Sequence, residues 1–494
     1  MALPKKFTNP WADSGGDITP DFTTAKRDVG FVGGDTPAIE DFNILYRENQ
    51  LSINDIINEG PGSWYPDAAD INKMICSGQW DESWGSTDDT LNIIAGGATK
   101  EYHDTCIHFD SYNNPYLLVL DNTNTTIEVY NARTKALVVT TNALSDDLDT
   151  SGTQDYECIS MCTDGTNVFV TFTDVDAAPT EHWLQSWTID LTAANWSVKT
   201  GWPATGTQLD GTGSGLRAKQ RDMKVIIADD NNLAVVCTWV IIGASNHKAI
   251  QLFLIADGTN SGFGAGDCAT GLTAQPLEAI ASDGTNIFFA TYVAGPTSYI
   301  CSATIADLTA GSGGAGYPLT AASATCNDMC SCGVGGTIIS TYDITGTTAS
   351  DIIMQTHNAT NASLLHILRG ANAGGATANE YIIDEPRDLF FDGLNVWTLT
   401  MILSGSSGED QLALVKTDLA KLPQVILTTP LYLSDYSSVF IINPTAESLS
   451  TGDAENMFLS ATFDGRDIWV NVEPRSSETY SGDILRLPLA LWRS

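Results

Sequence analysis

The run Cys158-Ile159-Ser160-Met161-Cys162-Thr163-Asp164-Gly165-Thr166-Asn167-Val168-Phe169-Val170-Thr171-Phe172 decides how the chain is read. Two apolar stretches, rich in β-branched and aromatic residues, flank a four-residue turn of the form Asp-x-x-Asn. Such flanks suit pleated, half-buried strands. The Asp side chain accepts hydrogen bonds from backbone N–H groups just ahead of it, and Gly and Asn tolerate the left-handed conformation that a tight hairpin needs. The phrase returns at Asp283-Gly284-Thr285-Asn286 and at Asp392-Gly393-Leu394-Asn395. Looser copies run from Asp110 to Asn113, from Asp229 to Asn232 and from Asp464 to Asp467, and Gly333 to Gly336 keeps the shape without the acid. The copies begin roughly 50 to 72 residues apart. Asp257-Gly258-Thr259-Asn260 follows a strand but leads into glycines, and is not counted among them.

A third strand follows each hairpin, for example at 126–130, 184–189, 250–254 and 411–415, and several units show a fourth, as at 136–140 and 424–428. Four-stranded units repeating at this length mark a propeller. The expectation is an all-β chain, with a seven-bladed β-propeller over residues 101–494 behind a small N-terminal segment carrying one helix. A β-helix has shorter coils, and a sandwich does not repeat its unit seven times. The last unit ends soon after its third strand, so residues 90–95 are expected to complete it and cover an edge that is a liability when open. Residues 61–100 are thus read as a linker and ring-closing strand. Three Trp and a Tyr in its polar span, Trp64, Tyr65, Trp80 and Trp84, point to a packed interface. The long gap before Asp464 includes residues 432–438, read as an exposed contact loop.

Sixty acids against 23 Lys plus Arg leave a net charge of −37 on 494 residues. Phosphate binding needs cations in quantity, so this balance excludes nucleic acid as the expected partner, and anionic membranes with it. No apolar run is long enough for a transmembrane helix, and Met1-Ala2-Leu3-Pro4-Lys5-Lys6-Phe7 lacks the core of a signal peptide, so synthesis in a cytoplasm is expected. The ten Cys are read as buried, unpaired small hydrophobes.

Residues 1–60 differ from the rest. Thr36 is a good N-cap, Pro37 fits the first helical position, Glu40 and Asp41 favour the first turn, and Gly60 suits the exit, so a helix is expected over about 37–58. Phe42, Leu45, Asn49, Ile53 and Ile56 recur at three- and four-residue steps. That narrow seam fits a small bundle in which a buried Asn49 fixes register and copy number, or else packing on the propeller rim. The run Arg27-Asp28-Val29-Gly30-Phe31-Val32-Gly33-Gly34-Asp35-Thr36-Pro37, then Phe42-Asn43, resembles the N-terminal segment of tailed-phage tail fibre and tail appendage proteins. The resemblance implies that residues 1–60 anchor the chain to a virion and oligomerise it. It makes Gly30, Phe31, Gly33, Pro37, Phe42 and Asn43 the anchoring positions and a homotrimer the expected assembly, with other virion tail proteins as partners. No long fibrous shaft follows, which leaves tail fibre, short appendage and head fibre or decoration protein open.

The chemistry-bearing motifs are sparse. The six His, at 103, 108, 182, 247, 357 and 366, show no metal-ligand spacing, and neither a G-x-S-x-G elbow nor a Walker loop occurs. Cys326, Cys330 and Cys332 lack the C-x₂-C spacing of a zinc site. The Asp-Gly phrases lack the one-residue spacers of sialidase Asp-boxes. They are read as turn residues rather than Ca²⁺ ligands, since Ca²⁺ takes about six to eight converging oxygens. No catalytic residue, metal or cofactor is therefore expected. The expected function is a structural virion protein attaching to a host surface glycan or protein. The alternatives are a propeller depolymerase acting on polysaccharide and an intracellular scaffold propeller.

Overall fold

A computed structural model describes residues 93–95, 100–148, 156–174, 181–209, 223–237, 248–265, 274–293, 297–309, 315–318, 324–332, 337–344, 352–358, 364–369, 382–403, 410–423, 431–432, 436–442, 457–474 and 483–488. The chain divides into two units, Met1–Asn72 and Lys73–Ser494, and all of these residues belong to the second. The helix expected over 37–58, the anchoring and seam positions Gly30, Phe31, Gly33, Pro37, Phe42, Asn43, Leu45, Asn49, Ile53 and Ile56, and the Trp-rich join at 61–92 lie outside the described residues.

The described residues are mostly β-strands in small antiparallel sheets. The first sheet runs Tyr102–Phe109, Pro115–Asp121, Thr126–Asn131, Leu137–Thr140, and the second Tyr156–Thr163, Asn167–Asp174, Glu181–Thr188, Thr207–Gln208. The third runs Met223–Ile227, Asn232–Cys237, Lys248–Leu254, Asn260–Ala265, and the fourth Ala274–Ser282, Asn286–Val293, Thr297–Thr304, Ala315–Pro318. The fifth is Ala324–Cys332, Thr337–Ile344, Ile352–Asn358, Leu364–Arg369, extended by Leu431–Tyr432 in parallel. The sixth is Ile382–Phe391, Asn395–Leu403, Asp410–Asp418, Ser437–Ile442. The seventh is Met457–Phe463, Asp467–Pro474, Asp483–Pro488, and its fourth strand is Ile93–Ala95, antiparallel to Asp483–Pro488 with Ile94 opposite Ile484.

The leading strands of the seven sheets adjoin in chain order, and that of the seventh adjoins that of the first. Apolar side chains fill the space between neighbouring sheets. Leu118, Val129, Phe172 and Trp187 lie between the first and second, Phe169, Trp202, Val225 and Phe253 between the second and third, and Tyr102, Leu117, Trp469 and Ile94 between the seventh and first. Burying each such side chain stabilises the fold by about 1.5–3 kcal/mol, and Trp187, Trp397 and Trp469 are fully buried. Middle strands such as Asn167–Asp174 are buried along their whole length because a sheet faces them on both sides.

Two sequence expectations change. The fourth strand of the sixth sheet is Ser437–Ile442 rather than 424–428, which lies outside the described residues, so part of the expected contact loop is a strand. Its run of Val439, Phe440, Ile441 and Ile442 has the β-branched and aromatic make-up of a strand. The first turn closes at Asn114, one residue later than read, with Asn113 left-handed at φ 63. The glycine-rich stretch after Asp257 is itself a strand, Asn260–Ala265. Its Gly262 lies against the short helix Ile305–Thr309, where a Cβ would stand 2.5 Å from the Leu308 carbonyl oxygen.

Candidate functional site

The turns share one geometry. At Asp164, Oδ1 accepts from the N–H groups of Thr166 (2.8 Å) and Asn167 (2.6 Å), while the Asn167 side-chain amide donates to Oδ2 at 2.9 Å. Asp229, Asp283 and Asp392 bind their Asn partners in the same way, and Asp464 caps Arg466 and Asp467. Asp110 takes Tyr112 N and Asn114 N at 2.8 Å each. Gly165 is left-handed at φ 88 with open space around its Cβ position, so the backbone conformation alone demands glycine there. These carboxylates hold their own hairpins. The equivalent of Asp164 in the fifth unit, Gly333, lies outside the described residues.

A second set of polar groups lies where the leading strands meet. The leading strands of the first, second and sixth sheets shift register at Asp104, Ser160 and Asp388. A bulge of this kind unpairs backbone groups and re-aims a side chain. Asp104 Oδ1 accepts from Thr105 N (2.8 Å), and Oδ2 from Met161 N (2.8 Å) and the Ser160 hydroxyl (3.0 Å) on the second sheet. Asp388 repeats the pattern, with Leu389 N at 2.8 Å and Ala461 N of the seventh sheet at 2.6 Å. Ser160 in turn accepts from Val225 N of the third sheet at 3.4 Å, and Thr105 meets Ser460 at 3.4 Å. The leading strands of the first, second and sixth sheets thus each satisfy a backbone donor on the next. Lys224 of the third sheet places Nζ 3.9 Å from Asp388 Oδ1 on the sixth. Burial pushes the Asp104 carboxyl above its usual range, against the pull of these donors and of the Lys224 charge. Both carboxylates accept from backbone donors on their own strand and on the neighbouring sheet, which makes them joints between sheets.

A third cluster lies at the turn end of the seventh and first sheets. Arg133 donates to Asp464 Oδ2 at 3.1 Å, and Arg486 donates to Asp467 Oδ2 from Nε (2.8 Å) and Nη2 (2.6 Å). Trp469 Nε1 donates to Asp464 Oδ2 at 3.1 Å, and Arg486 lies over the Trp469 ring. Asp467 stands where Asn167, Asn232, Asn286 and Asn395 stand in other units, and the Arg opposite accounts for the exchange. At the other end of the first sheet Glu128 accepts from Lys100, Tyr102 and Tyr130. Burial alone would raise the Glu128 carboxyl, but these bonds together hold it below its ordinary value.

The sequence reading singled out the turn Asp residues and missed Asp104, Lys224 and Asp388, whose contacts span the chain. The signal available was a charged residue inside an otherwise apolar strand. Among the described residues no His, Cys, Asp or Glu group could hold a metal ion, and no helix is long and apolar enough to cross a membrane.

No protein-family model and no curated protein matches the chain. Among solved structures it is similar to Raptor of Chaetomium thermophilum, at 9% identity and a TM-score of 0.44, covering 93% of this chain and 34% of that one. It is also similar to a puromycin hydrolase, at 10% identity and a TM-score of 0.42, covering 81% of this chain and 54% of that one. A third is the PQQ-bound aldose sugar dehydrogenase of Streptomyces coelicolor, at 10% identity and a TM-score of 0.36, covering 80% of this chain and 96% of that one. The chain spans about a third and about half of the length of the first two.

Proposed function

We propose that the seven sheets are the blades of a closed seven-bladed β-propeller, and that the chain is a structural virion protein of a tailed phage, a tail fibre or appendage. Support for the ring is the order in which the leading strands adjoin, including seventh against first, with a strand from before the first sheet completing the last one. Support for the virion role is the run from Arg27 to Pro37 followed by Phe42-Asn43. In this reading residues 1–60 fix a homotrimer to other tail proteins, and the turn loops of a rigid scaffold face a host surface glycan or protein. The commitment of Asp104 and Asp388 to backbone donors favours attachment over polysaccharide cleavage.

The test is mass by light scattering on the full chain and on a chain starting at Ser63. A trimer that becomes monomeric on truncation is expected. A monomer in both overturns the assembly role of the N-terminal segment.

A further inference from the structure

On a chain carrying −37 net charge, four cations, Arg133, Lys135, Arg466 and Arg486, lie near one another among the described residues. Arg133 and Lys135 sit in the hairpin joining the third and fourth strands of the first sheet, and Arg466 in the leading turn of the seventh. In an antiparallel meander both kinds of turn lie at the same end of the sheets, and the Arg133–Asp464 bond at 3.1 Å ties the two together. The cluster is layered. The side chains of Asp464 and Asp467 are fully buried, while those of Arg133 and Arg466 are 36% and 41% exposed. Solvent therefore meets the guanidinium groups and not the acids that orient them.

The local backbone is built to hold this arrangement. The Asn131 side chain accepts from Arg133 N (2.9 Å) and Thr134 N (3.0 Å), and Lys135 N donates to Asn131 O at 2.8 Å. Lys135 is left-handed at φ 60, an unfavourable state for a residue with a Cβ and one that concentrates at functional sites. It forms no ion pair with a described carboxylate. Burial and the neighbouring Arg486 charge hold its ammonium below the ordinary range.

We propose that Arg133, Lys135 and Arg466 bind one oxyanion group, a carboxylate or a sulfate, carried on an otherwise neutral ligand. Planar guanidinium forks match such groups, and their buried acid partners fix them in advance. The acid-rich remainder of the chain repels a polyanion at long range, whereas screening over about 8 Å at physiological salt leaves the local cations free to act on a single group. This site stands whether or not the chain belongs to a virion.

The test is isothermal titration of the full chain with sodium sulfate, D-glucuronate and D-glucose. Saturable binding of the two anions and none of glucose is expected. Lys135→Met and Arg466→Gln should each weaken anion binding about tenfold, the scale of one hydrogen bond to a charged group. Lys135→Gly relieves the left-handed backbone, so lost binding in that stable variant does not reflect unfolding. The absence of saturable anion binding, equal binding of glucose, or unchanged binding in Lys135→Met overturns the proposal. Binding of glucuronate without sulfate assigns the site to carboxylates.

Discussion

At the scale of single residues, the turn aspartates show how much one side chain can set. Each accepts from two or three donors within the four residues that follow it, so the local sequence is enough to predict the turn. His182 shows the reverse. Nothing beside it in sequence marks it, yet it is buried with Nδ1 3.1 Å from the Thr173 hydroxyl, and burial pushes its imidazole down to about 4 from 6.5. The unfolded chain therefore takes up this proton first. Stability is complete above pH 6.5 and is lost as pH falls from 6.5 towards 4, by about 3 kcal/mol for this group. Urea midpoints at pH 7, 5.5 and 4.5 should fall less steeply for His182→Gln than for the parent, and parallel profiles would refute the assignment.

At the scale of elements, two glycines separate backbone demand from packing demand. Gly165→Ala meets no neighbour and should cost about 1 kcal/mol for its left-handed backbone alone. Gly262→Ala drives a Cβ onto the backbone of the helix Ile305–Thr309 and should cost more, about 1–3 kcal/mol, because helix or strand must shift. Denaturation midpoints rank the two, and a smaller loss at Gly262 would contradict the close strand–helix contact. The first glycine was legible from Asp-Gly-x-Asn. The second carried no such mark, because the helix that requires it lies more than forty residues downstream. Ser437–Ile442 was missed as a strand for a related reason, since its partner in the sheet, Asp410–Asp418, is not the preceding apolar run.

At the scale of the whole molecule, stability depends on how the last sheet is completed. Ile93–Ala95 covers the edge of Asp483–Pro488, and Ile94 packs with Tyr102, Leu117, Trp469 and Ile484. Ile94→Asp buries a charge in that cluster and uncovers the edge, so a loss of about 2–4 kcal/mol is expected. Scanning calorimetry checks it, and an unchanged melting temperature would show that the strand is dispensable. Lys224 acts over the same range, bringing an ammonium from the third sheet to a carboxylate of the sixth.

The amino-acid sequence by itself determined the hairpins, their spacing and the all-β class, because turn chemistry and strand alternation act over a few residues. Only the tertiary structure decided that Ser437–Ile442 ends the sixth sheet, that Asp104 and Asp388 join neighbouring sheets, and that Arg133 meets Asp464. Those contacts link residues from about 57 to more than 300 positions apart. A side chain that bonds at such a distance leaves no periodic trace beside itself, so its partner is set by the packing of the sheets and not by its neighbours in the chain.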